Sequence, residues 1–386
     1  MSVSESARPH PTRVPGGRTS GPPSTGPCPF HLIVDPVARF LNAELVGHPV
    51  YDAIELQWFD DREHGTGLLA FLCRRDGRLV DYYPSPGLDL AAERYTLGGG
   101  TGAWTTTWFD DDILEVGPDG VLAQVRFTDV DGRTIEVRVD DRDPTRGRGS
   151  QGTMLAPVSA GIDHPGSLLL VWMHDFDLVH DTGTPPLIAI DGEPVDTGRL
   201  PGRRLHGRHL IKYAAPLTAV SVNPASGFPD AHPDPADVRR EPGTGAIEAV
   251  LASAPGAHAE LRFNPPLPDP AGLHLDDEVV TRWQVDVDGT DHVTGGVALA
   301  QRTDDRVTVT MEVTDRWQPG PLPPLLRTVT RIVPVFRRWP TTYRWVATID
   351  LASDGVVSSH WERTSNRRGE SYQRATSGRR RRKRRA

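Results

Sequence analysis

Apolar and polar residues alternate along most of this chain, and six Asp-Gly pairs punctuate the alternation: Asp76-Gly77, Asp119-Gly120, Asp131-Gly132, Asp191-Gly192, Asp288-Gly289 and Asp354-Gly355. A period of two marks a strand with one buried face, and Asp-Gly readily takes the positive φ angles of the type I′ turn that joins antiparallel strands. The run Val279, Thr281, Trp283, Val285, Val287 puts five residues on one face and Arg282, Gln284 and Asp286 on the other, before Asp288-Gly289 closes it. Val121, Ala123, Val125 and Phe127 likewise oppose Ile135, Val137 and Val139 across Asp131-Gly132.

This pattern predicts an all-β protein of two consecutive antiparallel β barrels or sandwiches, with one short N-terminal helix. The helix is expected where Asp35 can cap, Pro36 suits a first turn, Phe40, Leu41 and Leu45 share a face, and Gly47 can end it. Ser167 to Val179 reads as one buried strand, Leu210 to Val222 as another, and Leu326 to Phe336 as a strand of the second lobe. Residues 1–29, rich in Pro, Gly and Ser, are expected to be disordered. A first β lobe then covers 30–227, a linker dense in Pro, Asp and Gly covers 228–245, a second β lobe covers 246–370, and a polybasic tail covers 371–386. Gln57-Trp58-Phe59-Asp60-Asp61 and Thr107-Trp108-Phe109-Asp110-Asp111 share a sequence fifty residues apart, but no further copy makes a repeat.

Composition narrows the classes. No stretch approaches the roughly 20 apolar residues that span a bilayer. Cys28 and Cys73 form neither a disulfide framework nor a metal spacing, so a reducing cytoplasm is the expected location. All but two of the 43 basic residues are arginine, a coding bias that points to a GC-rich bacterial genome. The net charge is −8, yet Arg379, Arg380, Arg381, Arg382, Lys383, Arg384 and Arg385 close the chain as one basic run. That run suits non-specific contact with an anionic partner. An acidic body without a recognition-helix pattern speaks against sequence-specific nucleic-acid binding.

Chemistry is concentrated in Trp172-Met173-His174-Asp175-Phe176-Asp177-Leu178-Val179-His180-Asp181. In an extended strand His174 and His180 lie about 20 Å apart, too far to share an ion, whereas Asp175 and Asp177 share a face roughly 7 Å apart and suit acid/base work. Glu55, flanked by apolar residues, is a candidate buried carboxyl with a raised pKa. Asp175, His174 and Glu55 are therefore the candidate catalytic residues, and Trp58, Trp104, Trp108, Trp172, Lys212 and Tyr213 the candidate ligand contacts. The acidic turns at Asp129–Gly132 and Asp286–Asp291 lack the twelve-residue calcium-loop spacing and read as hairpins. Arg203 to His209 is a basic segment that reads as a solvated loop. Gly98-Gly99-Gly100 precedes strand pattern rather than a helix, and no Gly-x-Ser-x-Gly occurs, so no phosphate loop or hydrolase elbow is predicted. Neither a metal nor a cofactor is called for.

Two consecutive lobes, the segment Tyr51-x-x-x-Glu55-x-x-Trp58-Phe59-Asp60 and the apolar run Leu68–Cys73 give residues 50–180 a resemblance to lipocalin-like two-barrel proteins of the carotenoid 1,2-hydratase (hydroxyneurosporene synthase) type. That family carries Trp-x-Asp-(His/Arg)-Glu-Trp; the nearest segment here, Trp172-Met173-His174-Asp175-Phe176, departs from it. The resemblance implies an interior cavity for an apolar, isoprenoid or lipid-like molecule. It also implies acid-catalysed hydration, with Asp175 as proton donor and His174 as its partner. Two other readings compete: a non-enzymatic interaction module displaying loops and the basic tail, and a carbohydrate-active protein using Asp175 with Glu55.

Overall fold

The computed structural model describes residues 26–75, 79–90, 92, 101–145, 153–155, 165–181, 184–200, 207–224, 237–318, 320, 322, 324–332, 339–352 and 355–364. These residues are almost entirely β, in four sheets. A seven-stranded sheet runs in the order β12 (Asp177–His180), β15 (Arg208–Ala214), β2 (Arg39–Glu44), β3 (Tyr51–Asp61), β4 (Gly65–Arg74), β5 (Val80–Pro84), β6 (Thr101–Trp104). One of its faces meets a five-stranded sheet, β14 (Glu193–Pro194), β13 (Leu187–Ile190), β9 (Thr134–Asp140), β8 (Gly120–Thr128), β7 (Asp111–Gly117). A four-stranded sheet has the order β1 (Leu32–Val37), β16 (Leu217–Val222), β11 (Leu168–Met173), β10 (Thr153–Leu155). The second half of the chain makes an eight-stranded meander: β17 (Val238–Arg240), β18 (Ile247–Ala254), β19 (Ala257–Leu267), β20 (Glu278–Val287), β21 (Thr290–Thr303), β22 (Arg306–Asp315), β23 (Tyr343–Asp350), β24 (Gly355–Arg363).

The meander is curled into a half-barrel. The Phe30 ring lies 4.7 Å from Phe263 on β19 and 5.6 Å from Trp345 on β23. Those strands would stand roughly 19 Å apart in a flat sheet at the normal inter-strand spacing. The hairpin turns fall where the Asp-Gly pairs predict: Asp119-Gly120 joins β7 to β8, Asp131-Gly132 joins β8 to β9, and Asp288-Gly289 joins β20 to β21. Asp191 and Asp288 carry positive φ values of 52° and 47°.

Three chain segments pass between the four-stranded and seven-stranded sheets at neighbouring corners. β1 leads into β2 at Ala38, β11 into β12 through His174–Phe176, and β15 into β16 through Ala215-Pro216. The corners are bonded to one another: His174 N–H donates to Pro216 O at 2.8 Å, and Ala215 N–H donates to His174 O at 3.1 Å. Each apolar run that reads as one long strand is thus a strand bent across two sheets, a common device where sheets pack at an angle.

The four-stranded sheet is the middle layer. Asp35 on β1 reaches His64 of the first lobe, so its face, with Val37, Leu217, Ala219 and Met173, turns toward the seven-stranded sheet. The alternate face, with Leu32, Val34, Val220, Val222, Leu168 and Leu170, turns toward the half-barrel. All six residues of β11 are buried, as a strand covered on both faces requires. One apolar cluster consequently runs from Phe59, Phe71 and Tyr82 of the first lobe to Trp283 and Trp345 of the second.

Several expectations are corrected. Residues 35–47 form strands rather than a helix: Pro36 lies on an edge strand, where no ladder hydrogen bond is lost, and the apolar residues of β2 are needed on both faces. The helix is α1 (Pro324–Ile332), which overlaps the segment Leu326 to Phe336 expected to be a strand. Leu326, Val329 and Ile332 recur every three residues, a helical period, and Pro324 occupies the first position. Val238–Arg240, expected in the linker, is the edge strand β17. Asp76-Gly77, Gly98–Gly100, residues 1–25, Arg203–His206 and the tail Arg379–Arg385 lie outside the described residues.

The two sheets of the first sandwich are locked by a buried charge network. Asp129 accepts from Tyr51 Oη at 2.7 Å and from Arg133 Nε at 2.8 Å, and Arg133 Nη2 donates to Tyr51 Oη at 2.9 Å. Arg74 bridges Asp81 at 2.5 Å and Asp131 at 3.0 Å. The acidic hairpin Asp129–Gly132 therefore spends its carboxylates on arginines and a tyrosine. Asp129→Ala would leave the partly buried Arg133 guanidinium and the Tyr51 hydroxyl without their shared acceptor, while Arg133 keeps Asp131. Urea unfolding is expected to show a loss of about 1–3 kcal/mol, whereas Thr128→Ala, at an exposed neighbour, should stay within about 0.5 kcal/mol.

Candidate functional site

The face of the seven-stranded sheet turned toward the middle layer carries one continuous cross-strand row. In register it reads Leu178, Lys212, Asn42, Glu55, Phe71, Tyr82, Trp104. Strand alternation makes these side chains neighbours, since directly opposed residues share a face. After Leu178, three residues of the row are polar and three are aromatic. The Tyr82 ring lies 5.6 Å from Phe71 and 5.3 Å from Trp104, tilted against both.

Glu55 occupies the junction. It is 7% exposed; Oε2 accepts from Asn42 Nδ2 at 3.2 Å and Oε1 accepts from Gln57 Nε2 at 2.6 Å. Lys212 Nζ donates to Asn42 Oδ1 at 3.3 Å and lies 3.7 Å from Glu44. Burial pushes the Glu55 carboxyl up to about 8, against the pull of Gln57, Lys212 and Asn42. At neutral pH the group is mainly the protonated acid. Both of its oxygens accept amide N–H bonds.

Tyr82 is fully buried, and its hydroxyl has no hydrogen-bond partner among the described residues. Burial, with Cys73 and Glu55 nearby, holds that hydroxyl far above its ordinary pKa, so it is a neutral donor. The row therefore presents two neutral O–H groups against aromatic surface. Chemically this arrangement can donate hydrogen bonds, or a proton, to a molecule that is otherwise apolar.

The other predicted residues lie elsewhere. Trp104 ends the same row. Tyr213 points to the opposite face, where its hydroxyl meets Asp141 Oδ2 at 3.3 Å, and His180 Nδ1 lies 3.2 Å from the same oxygen. Trp58 also packs on that opposite face, with the Arg39 guanidinium 5.7 Å from its ring centroid. Trp108 is 82% exposed. His174 and Asp175 sit at the corner between β11 and β12, not within an extended strand, and Asp175 has φ 46°. His174 Nε2 lies 4.0 Å from Asp288 Oδ2 of the half-barrel. Asp177, expected to pair with Asp175, instead binds Arg208 at 2.5 Å. The corner corrects the geometry of that pair: two carboxylates spaced for one strand face belong to a bend and to the strand after it.

Trp172 belongs to the middle sheet, on the face turned toward the half-barrel. Asn42 and Tyr82 of the row, and Gln57 beside it on β3, escape sequence reading. Each looks like an ordinary strand residue until register places it beside Glu55. His64 escapes as well. It is buried between Asp61, with Nδ1 to Oδ2 at 3.0 Å, and Asp35, with Nε2 to Oδ1 at 3.5 Å. Asp35 and then Asp61 raise its pKa to about 9 against the effect of burial.

Comparison with protein-family models, with curated proteins and with solved structures returned no match. Among the described residues, no helix is long and apolar enough to cross a membrane, and no group of three or more His, Cys, Asp or Glu is arranged to hold a metal ion.

The two shifted groups predict a signed pH dependence. Folded Glu55 keeps a proton that the unfolded chain has lost, so stability falls as pH rises from about 4.5 to about 8 and levels above that. The stabilisation from His64 is complete below about 6.5 and is lost as pH rises through about 9. In urea unfolding across this range, Glu55→Gln should remove the lower part of the decline, a gain of several kcal/mol at pH 8 at about 1.4 kcal/mol per pKa unit. His64→Gln should remove the upper part and leave the lower.

Proposed function

We propose that this protein binds an apolar small molecule against the inner face of the seven-stranded sheet, with Glu55 as the acid that engages it. The observation that carries this reading is a buried carboxyl with a raised pKa, held by two side-chain amides, on the same row as a buried tyrosine hydroxyl without an acceptor among the described residues. Buried polar groups are normally satisfied, and a donor left over in an apolar core is a common mark of a ligand position. The aromatic half of the row supplies apolar contact. The resemblance to lipocalin-like hydratases agrees with an isoprenoid or lipid-like molecule, but the acid it would use here is Glu55 rather than Asp175.

Hydration is the reaction class that this arrangement suits. The Glu55 carboxyl gives its proton to one alkene carbon, which leaves a cation on the other. Water forms the C–O bond there and returns a proton to the carboxylate. Asn42 and Gln57 hold the carboxylate during the interval in which it is charged, and Lys212 lowers the cost of that charge.

The test is incubation with a panel of isoprenoid alkenes in ¹⁸O-labelled water, followed by mass spectrometry of both protein and products. The expected result is a 1:1 adduct and an alcohol carrying the label. Glu55→Gln should lose the alcohol while keeping the adduct, and Tyr82→Phe should weaken the adducts of those panel members that carry an acceptor oxygen about tenfold, the equivalent of one hydrogen bond of ~1.4 kcal/mol. An adduct with no labelled alcohol would reduce the reading to a carrier. Absence of both would overturn it.

A further inference from the structure

The crossover between β22 and β23 differs from the rest of the chain in its charge. The chain holds 51 acidic residues among 386, yet none falls between Arg316 and Ile349, a stretch that carries six arginines: Arg316, Arg327, Arg331, Arg337, Arg338 and Arg344. Helix α1 lies inside it. Arg327, Thr328, Arg331 and Ile332 are all exposed, Ile332 at 55%, and their i, i+1, i+4, i+5 spacing puts them on one side of the helix. Arg316, just after β22, is exposed as well.

Five other arginines of the second lobe are paired: Arg239, Arg240, Arg262, Arg282 and Arg344 each lie within 4.0 Å of a carboxylate. Arg316, Arg327 and Arg331 form no ion pair among the described residues, and Arg327 donates instead to Leu322 O at 3.3 Å. Topology gathers more positive charge at the same place. β22 ends at Asp315 and β23 begins at Tyr343, so the crossover leaves and returns at one end of the half-barrel. β24 finishes at that end too, with Arg363 opposite Tyr343, and the chain beyond it leads to Arg379–Arg385. Nearby carboxylates are mostly engaged: Asp286 with Arg262, Asp315 with Arg282 and Glu362 with Arg344, while Asp291 is exposed in the β20–β21 turn.

We propose that α1 and Arg316 form a docking surface for an anionic lipid bilayer, with the arginines at the headgroup phosphates and Ile332 among the first acyl carbons. A helix with arginines on its exposed side and an apolar residue beside them suits the boundary between headgroups and acyl chains. Each arginine near an anionic membrane strengthens attachment about fivefold. One weak signal attaches a protein reversibly, and the basic run beyond β24, leaving from the same end, supplies a second. A nucleic acid would use the arginines but gain nothing from Ile332. The chain as a whole is acidic, with a net charge of −8, so an anionic bilayer repels its other faces and selects this end. The surface belongs to the second lobe and is independent of the reading of the Glu55 row.

The test is flotation of the full chain with vesicles of phosphatidylcholine alone and of phosphatidylcholine mixed with phosphatidylglycerol, at low and high salt. The expected result is binding to the mixed vesicles only, weakened by salt. Arg327→Gln and Arg331→Gln together should lower the affinity about thirtyfold, and Ile332→Gln about fivefold. A chain ending at Gly378 should bind more weakly and still respond to the helix variants. The vesicle comparison on the unaltered chain stands even if a variant folds poorly. Equal binding to both vesicles, binding to neither, or binding that is lost with the tail and unmoved by the helix variants would overturn the proposal. Binding of a single-stranded oligonucleotide that depends on Arg327 and Arg331, with vesicle binding indifferent to Ile332, would assign the surface to nucleic acid and overturn it as well.

Discussion

A middle sheet covered on both faces is the constraint on which the rest depends. Water cannot serve β11, so a polar group turned onto it must be met by protein or by something the protein holds. The chain meets that demand with care in the outer sandwich, where tyrosine hydroxyls, carboxylates and arginines close on one another. It leaves the demand unmet in both layers that touch the middle sheet: at Tyr82 on one side, and at Trp172, Trp283 and Trp345 on the other. An unpaired buried donor costs on the order of 1–3 kcal/mol. Among the described residues, Tyr82, Trp172, Trp283 and Trp345 are four such groups in one continuous core.

The same constraint explains Glu55. A carboxyl facing the five-stranded sheet could have joined the arginine network, as Asp129 does. On the face toward the middle sheet it has two side-chain amides and the more distant Lys212, a set that orients the group without fully compensating its charge. Its pKa rises because burial outweighs those three helpers, and the acid form follows. Stability is given up at neutral pH to keep a proton in an apolar place, a trade typical of functional groups rather than of packing. The paired corners at His174 and Pro216 matter for the same reason. They fix how the middle sheet lies over the row, and therefore which side chains can meet a molecule held there.

Much of this was legible in the sequence, and the failures have physical causes. Alternation and Asp-Gly turns identify the all-β class, the hairpins at Asp131-Gly132 and Asp288-Gly289, and the inward face of β20, because those signals are local. Glu55 stands out because a charged residue between apolar neighbours is a local anomaly. The partners of Glu55 are set by register across five strands, which no single segment encodes, so Tyr82 remained hidden. The bent strands misled most. Asp35-Pro36 carries the chemistry of a helix start and yet serves an edge strand. The apolar run through His174 carries the period of one strand, while a residue with positive φ, Asp175, turns it into two. In each case tertiary covering overrides a local preference.

Native mass spectrometry of the protein purified from its own host, with release and identification of whatever accompanies it, addresses the central claim most directly. The account predicts a stoichiometric apolar molecule retained through purification. A bare polypeptide mass, together with no uptake of any isoprenoid, ketone or lipid offered afterwards, would contradict it and leave the buried donors as a cost of folding without a ligand to offset it.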